Sequence, residues 1–154
     1  MSREHASGIL TRFGERVGID GLAYDEGGYC CLQFDETTVS LELVEDGSIF
    51  LYSTLGSAPE EDREAFFVSL LSANCLCRQT GGGVLGYDEQ LNAVVFTMQT
   101  DSEHLQDESF EQILENFLNV SATWSQWISE FGHEPATADQ ESGEANASSA
   151  GLRV

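Results

Sequence analysis

Short runs in which apolar and polar side chains alternate constrain the fold of this chain most strongly. Such alternation is typical of β-strands that have one buried face and one partly wet face. Turn signals rich in glycine and acidic residues separate the runs, which predicts an antiparallel meander. Four strands are expected in the first third of the chain, at Leu22–Asp25, Tyr29–Asp35, Thr38–Glu45 and Ser48–Leu55.

Three other segments have the spacing of amphipathic helices. The first helix is predicted over residues 5–17, the second over 58–74 and the third over 106–131. Ser57 and Glu60 have the spacing of a capping box at the start of the second helix.

Two further strands, at Val84–Tyr87 and Ala93–Gln99, are predicted between the second and third helices. The predicted element order is therefore α-β-β-β-β-α-β-β-α. This is an α+β fold, with a twisted antiparallel sheet and three helices.

The composition changes after Gly132, where the chain has almost no large apolar residue and is rich in Ala, Ser, Glu and Gly. Such a segment cannot bury enough surface to offset its ordering entropy, so 133–154 is predicted to be a disordered acidic tail. The remaining residues, 1–132, form one predicted domain. The tail has four acidic residues and one arginine, which leaves the domain −18 of the total formal charge of −21.

The strong acidity limits the partners of the chain. It contains 27 Asp and Glu residues against six basic residues, and all six are arginines. A negative field of this size repels phosphate groups, so binding to nucleic acid or to an anionic membrane surface is disfavoured. No apolar run approaches the roughly 18 to 20 residues that a membrane helix needs, and the start is not signal-like, so a cytoplasmic protein without membrane insertion is expected.

No pattern in the sequence indicates an enzyme or a cofactor site. The glycines at 81–83 lack the Gly-Lys-Ser/Thr ending that grips a nucleotide phosphate, which favours a loop where strands approach closely. His5, His104 and His133 have no plausible nucleophile or orienting acid nearby in sequence.

The four cysteines are expected to be reduced thiols rather than metal ligands. Cys30 and Cys31 are adjacent, so in a strand their side chains point to opposite faces. Neither this pair nor the pair of Cys75 and Cys77 has the two-residue spacer typical of zinc sites. No metal, cofactor or catalytic activity is therefore predicted.

Several aromatic side chains look difficult to bury together in one small core. They lie on predicted strands and on the last predicted helix: Tyr24, Tyr29, Phe50, Tyr52, Trp124 and Trp127. Either they close the core, with helices over both faces of the sheet, or they form a dimer interface and a groove for a partner chain. The residues alone leave both possibilities open.

One block of sequence resembles a known family. Leu70–Asn74 leads through Thr80–Glu89 to Ala93–Phe96. This block, with the element order and the acidity, is similar to the class I type III secretion chaperones, the family of the Tir chaperone. The resemblance covers about residues 5–131. It implies a cytoplasmic homodimer that binds the N-terminal region of a secreted effector in extended form, keeping it soluble and export-competent without hydrolysing ATP.

The resemblance also implies two surfaces. An extended effector segment would pair with a free sheet edge and set apolar side chains into grooves. The family's effector-binding surface involves the first helix and the first part of the sheet, which on this sequence gives Leu10, Phe13, Leu22, Tyr24, Tyr29, Cys31 and Tyr52. The family's dimer interface involves the second helix and the strands after it, which gives Phe67, Leu71, Leu85, Tyr87, Val94 and Phe96.

Two other functions stay open from the residues alone. An acidic inhibitor or nucleic-acid mimic would place its carboxylates in a basic groove of a partner enzyme, and its binding would weaken steeply with salt. A chaperone would instead show weak salt dependence and a negative heat-capacity change on binding an effector peptide. A small enzyme would need a concave pocket that holds ionisable groups with perturbed pKa values.

Overall fold

The computed structural model describes residues 2–132, and the predicted tail at 133–154 lies outside the described residues. Three helices and five strands follow one another there in the order α-β-β-β-α-β-β-α. The helices are α1 (Ser2–Val17), α2 (Arg63–Asn74) and α3 (Asp107–Glu130), and the strands are β1 (Tyr29–Phe34), β2 (Thr37–Leu43), β3 (Ser48–Ser57), β4 (Val84–Asp88) and β5 (Ala93–Asp101). The predicted α+β class, with an antiparallel sheet and three helices, is confirmed.

The five strands form one antiparallel sheet in the order β1-β2-β3-β5-β4. Short turns join β1 to β2 and β2 to β3, whereas α2 carries the chain from β3 to β4 at the far side of the sheet. The strand β5 then returns beside β3 and pairs with it from Ser48 opposite Asp101 to Ser57 opposite Ala93. The edge strands of the sheet are therefore β1 and β4.

Helices pack on one face of the sheet, and the other face has no helix over it in the described part of the chain. The packed face presents alternate residues of every strand, as the period of two requires. Its buried side chains are Cys30, Leu32, Val39, Leu41, Leu43, Ile49, Leu51, Leu55, Leu85, Val94, Phe96 and Met98. The sequence left open an arrangement in which helices cover both faces of the sheet. For residues 2–132 that arrangement is therefore wrong.

The helices α1 and α3 cover this face with their apolar stripes. Phe110 and Phe117 point inward from α3, and Leu10 and Phe13 point inward from α1. The rings of Phe13 and Phe110 meet edge to face, with centroids 5.5 Å apart. The predicted spans of both helices agree with the structure to within three residues at each end.

Ion pairs fasten α1 to α3 on the solvent side of this contact. Arg12 donates two hydrogen bonds of 2.8 Å to the carboxylate of Asp107. Arg16 lies next to it, with Nη2 at 2.6 Å from Glu111 Oε1. Because Arg12 donates to the charged form, it holds the pKa of Asp107 below its ordinary value.

The predicted strand from Leu22 to Asp25 is wrong, because these residues form a connection without strand pairing. Their apolar alternation has another cause, since Leu22 and Tyr24 are half-buried against the core. Asp25 closes the turn before β1, where its carboxylate accepts backbone hydrogen bonds from Gly27 at 2.9 Å and from Tyr29 at 2.8 Å.

The predicted start of the second helix at residue 58 is also wrong, because α2 begins at Arg63. The capping residue is Asp62, which has φ of 55° and makes no side-chain cap bond, so the predicted capping box does not start this helix. The residues before it are held by the β4–β5 turn instead. Ala58 donates its N–H to Asn92 O at 3.0 Å, and the Asn92 side chain donates to Ala58 O at 3.2 Å. A contact 34 positions away overrides the local helix signal.

Candidate functional site

Exposed apolar side chains gather on α2 and on the segments next to it. Val68 and Leu71 belong to α2, Leu76 to the turn after it, Tyr87 to β4 and Leu91 to the β4–β5 turn; Leu71 is 69% exposed and Leu76 75%. We call these five residues the α2–β4 patch. Exposed apolar clusters of this kind mark contact surfaces on folded proteins.

Arg63 holds α2 against the β4–β5 hairpin beside this patch. Its guanidinium carbon lies 5.1 Å from the ring centroid of Phe67 and 5.7 Å from that of Tyr87. It donates hydrogen bonds to Tyr87 Oη at 3.0 Å, to Asn92 Oδ1 at 3.2 Å and to Pro59 O at 2.9 Å. The rings of Phe67 and Tyr87 pack edge to face at 4.8 Å. The α2–β4 patch therefore lies on side chains that hydrogen bonds and ring contacts hold in place.

Three of the six residues predicted for a dimer interface lie in the α2–β4 patch or directly beneath it. Phe67 is half-buried beneath the patch, whereas Leu71 and Tyr87 are part of it. The other three are buried in the core of the chain itself: Leu85, Val94 and Phe96. The structure does not bring these three to the surface.

The sheet face opposite the helices is a second exposed surface, which we call the outer sheet face. It consists of alternate residues of the five strands, namely Tyr29, Cys31, Gln33, Thr38, Ser40, Glu42, Phe50, Tyr52, Thr54, Val84, Gly86, Val95, Thr97 and Gln99. Phe50 and Tyr52 of β3 are only half-buried there. The hydroxyl oxygen of Tyr29 lies 3.1 Å from Ser40 Oγ. Aromatic rings thus stand among small polar groups on an uncovered sheet.

The seven residues predicted for effector binding do not form one surface. Three of them lie together on the outer sheet face: Tyr29, Cys31 and Tyr52. Leu10 and Phe13 are buried in the core, and Leu22 and Tyr24 are half-buried against it. Burial raises the pKa of the Tyr24 hydroxyl, which has no hydrogen-bond partner among residues 2–132.

The edge of the sheet at β4 is paired at Gly83 and Leu85 by side chains and turns. The amide of Asn74 donates to Leu85 O at 2.8 Å, and its oxygen accepts the Leu85 N–H at 2.8 Å. Gly83, just before β4, donates its N–H to Thr80 O at 3.0 Å and accepts a hydrogen bond from the Thr80 hydroxyl. Asn74 therefore takes the place of a neighbouring strand at Leu85.

The edge at β1 is more open. At its first residue, Tyr29 donates its N–H to Asp25 Oδ1 and accepts a hydrogen bond from the Asp25 N–H, both at 2.8 Å. The alternation of an antiparallel ladder places the backbone groups of Cys31 and Gln33 on the same free side. No described residue bonds to those groups. This part of β1 can therefore accept another strand.

Sequence reasoning missed three residues that shape these surfaces. Glu42 shares the face of Tyr52, and the period of two along β2 could have placed it there. Asn74 and Arg63 carry no local signal, because their partners lie 11 and 29 positions away.

A cleft of about 830 Å³ separates the β1–β2 turn from α3. Phe34 and Glu36 line one side, and Leu118 and Gln126 line the other. Within residues 2–132, no group of three or more His, Cys, Asp and Glu side chains is placed to hold a metal ion. No described helix has the length and apolar character that crossing a membrane requires.

Comparison with protein families matches residues 8–125 to the Tir chaperone protein (CesT) family. The chain is 27% identical over 108 residues to the Tir chaperone of Citrobacter freundii, which covers 70% of this chain and 69% of that protein. It is 26% identical over 108 residues to the Tir chaperone of Escherichia coli, with the same coverage of 70% and 69%.

Solved structures of other proteins also superpose on this chain. A chain of the ExsC–ExsE complex superposes with a TM-score of 0.72 at 26% identity, covering 82% of this chain and 95% of that chain. A chain of the HopA1–SchA chaperone–effector complex superposes with a TM-score of 0.67 at 17% identity, covering 82% and 97%. At 17% identity, the second similarity shows a shared fold and nothing more.

Proposed function

Because the chain belongs to the Tir chaperone (CesT) family, we propose that it binds the N-terminal region of a secreted effector in extended form and keeps that region soluble and export-competent. It is a type III secretion chaperone. A cytoplasmic location and a homodimeric state are part of the proposal. The other function considered from the sequence, an acidic inhibitor or nucleic-acid mimic, is not favoured by the family match.

The observation that carries the proposal is the open edge of β1 beside an aromatic sheet face. An extended peptide would bond to the outward backbone groups of Cys31 and Gln33 and add a strand to the sheet. The guest side chain opposite Cys31 would then lie on the outer sheet face, in the row next to Tyr29. A segment held in this way stays extended, which prevents it from folding before export.

The pairing of Leu85 at the β4 edge supports the same assignment. Asn74 already satisfies both outward backbone groups of Leu85, so a peptide gains less by pairing there than at β1. The outer sheet face and the β1 edge together therefore offer the better site for an extended guest.

We divide the predicted effector-binding residues into two roles. The exposed or half-buried side chains on the outer sheet face contact the guest: Tyr29, Cys31 and Tyr52. The side chains packed on or in the core hold α1 and the segment before β1 in place: Leu10, Phe13, Leu22 and Tyr24.

The homodimer is proposed to form through the α2–β4 patch. Leu71 and Tyr87 would contact the second subunit directly, with Phe67 packed behind them. The three remaining predicted residues lie in the core and would support this interface without contacting the second subunit: Leu85, Val94 and Phe96. Five exposed apolar side chains on α2, β4 and the turns next to them would provide the apolar centre of this interface.

Effector binding is tested with the tagged full chain expressed in its native cell. Mass spectrometry identifies the protein that co-purifies, and hydrogen exchange of the complex maps the protected segments on both chains. We expect a secreted protein protected near its N-terminus, together with new protection along β1. Protection confined to acidic turns and helix starts would contradict the proposal.

A pair of variants then locates the site. Tyr29→Asp places a charge beside the β1 edge, and we expect roughly tenfold weaker binding of the identified effector by calorimetry, as for other central interface residues. Gln112→Asp adds the same charge on the exposed side of α3 and is expected to bind like the wild type. Equal binding by both variants would place the guest elsewhere.

A further inference from the structure

The outer sheet face holds a carboxylate between aromatic rings. In the strand register, Glu42 of β2 lies directly opposite Tyr29 of β1 on one side and Phe50 of β3 on the other. Directly opposed residues of an antiparallel sheet have Cβ atoms about 4.5 to 5.5 Å apart. One exposed acidic side chain is therefore flanked on both sides by ring-bearing neighbours.

A fourth residue completes this group. Tyr52 lies opposite Ser40, two positions from Glu42 along β2. Ser40 Oγ also lies 3.1 Å from the Tyr29 hydroxyl, and Ser40 faces Tyr52 across the strands, so it lies between the two tyrosines. The pKa of Tyr52 is raised first by burial and then by the charge of Glu42, which places that carboxylate within electrostatic reach of the ring.

Glu42 has no cationic partner in the described part of the chain. The ion pairs found there join Arg12 and Arg16 to acidic residues of α3, on the opposite face of the sheet. No described residue donates a hydrogen bond to the Glu42 carboxylate either. Its charge is therefore available to a partner, in a domain whose overall field attracts cations.

We propose that Tyr29, Glu42, Phe50 and Tyr52 form a subsite for an arginine or lysine side chain of the bound effector segment. The proposal rests on the proposed function, since the segment is the guest strand held beside β1. The carboxylate pairs with the cationic head, the ring faces attract the cation, and the aliphatic stem packs on the half-buried ring of Phe50.

The geometry favours a long basic side chain over a short apolar one. Neighbouring strands lie about 4.8 Å apart, so a residue of a strand added to β1 is two strand spacings from Glu42. Asp25 occupies the outward backbone groups of Tyr29. The nearest residue of the guest strand therefore lies opposite Cys31, one row away from Glu42. From there an arginine or lysine side chain runs diagonally over the Tyr29 ring to the carboxylate. A short apolar side chain ends beside Cys31 and leaves Glu42 without a partner.

The test uses two synthetic peptides that differ only in one side chain. Each is a capped heptamer of alternating threonine and valine, with arginine at the centre of one and its neutral isostere citrulline at the centre of the other. Binding to the full chain is measured by fluorescence anisotropy in 0.15 M salt. Since an exposed ion pair and an exposed cation–π contact are each modest, we expect about a fivefold preference for the arginine peptide.

Two variants separate the subsite from the general negative field. Glu42→Gln is expected to abolish the preference for arginine. Glu36→Gln removes the same charge from the β1–β2 turn, where Glu36 is exposed, and is expected to retain it. Absence of a preference in the wild type, failure of both peptides to bind, or equal loss in both variants would overturn the subsite.

These outcomes stay distinct from those for the proposed function. If the native effector binds at β1 while the peptides show no preference, the subsite is wrong and the chaperone assignment stands. If the preference is found and depends on Glu42 while no effector is protected at β1, the subsite stands and the proposed mode of effector binding is wrong.

Discussion

Replacing Asn74 by alanine should destabilise the domain through the loss of two hydrogen bonds at the β4 edge. The Asn74 side chain donates one bond to Leu85 O and accepts the other from the Leu85 N–H, both at 2.8 Å. A hydrogen bond of this kind contributes about 1 kcal/mol, so the loss is about 2 kcal/mol. Leu85 is 4% exposed, so water does not easily replace the missing partner. Alanine recovers about 0.5 kcal/mol through its higher helix propensity.

The matched control is Asn119→Ala, an exposed position on α3 whose side chain makes no hydrogen bond that the structure records within residues 2–132. Urea unfolding followed by tryptophan fluorescence, at one fixed protein concentration, gives the free energy of unfolding of both variants. We expect Asn74→Ala to be less stable than the control by about 2 kcal/mol, with faster amide exchange at Leu85. A difference below about 0.5 kcal/mol would refute the argument that Asn74 replaces a strand.

Two shorter predictions concern the other contacts. Arg12 lowers the pKa of Asp107, so this carboxylate contributes stability above its unfolded pKa of about 3.9 and loses it as the pH falls through the lower folded value. The difference in urea midpoint between wild type and Asp107→Asn should therefore shrink below about pH 4, and a constant difference down to pH 2 would argue against the ion pair. Leu71→Arg should give monomers by light scattering, whereas Val17→Arg, exposed on the end of α1, should remain dimeric; dimers of both would place the interface away from α2.

The periodic parts of the fold were predictable from the sequence. The stripe of α3 and the alternation along β2 and β3 depend on the local chain alone, so their faces follow from the spacing of apolar residues. The segment from Leu22 to Asp25 has the same alternation but contacts the core without a strand partner. The start of α2 depends on Asn92, which no local pattern indicates.

The surfaces were predictable only in part, for the same reason. Tyr29, Cys31 and Tyr52 were placed together because each lies on a strand whose facing follows from the period of two. Val94 and Phe96 are equally regular, but their burial depends on which face α3 covers, and Phe96 stacks on Phe117 of that helix at 5.0 Å. The local sequence of β5 does not determine on which face of the sheet α3 packs.

The unequal edges of the sheet have a consequence for self-association. A fibre built strand upon strand grows only if each added copy presents a fresh edge at its far side. In the described part of this chain, two chains that met through β1 would each turn a β4 edge outward, where Leu85 is already paired. Asn74 therefore limits further strand pairing at Leu85, which leaves β1 as the edge that is more open to an extended guest.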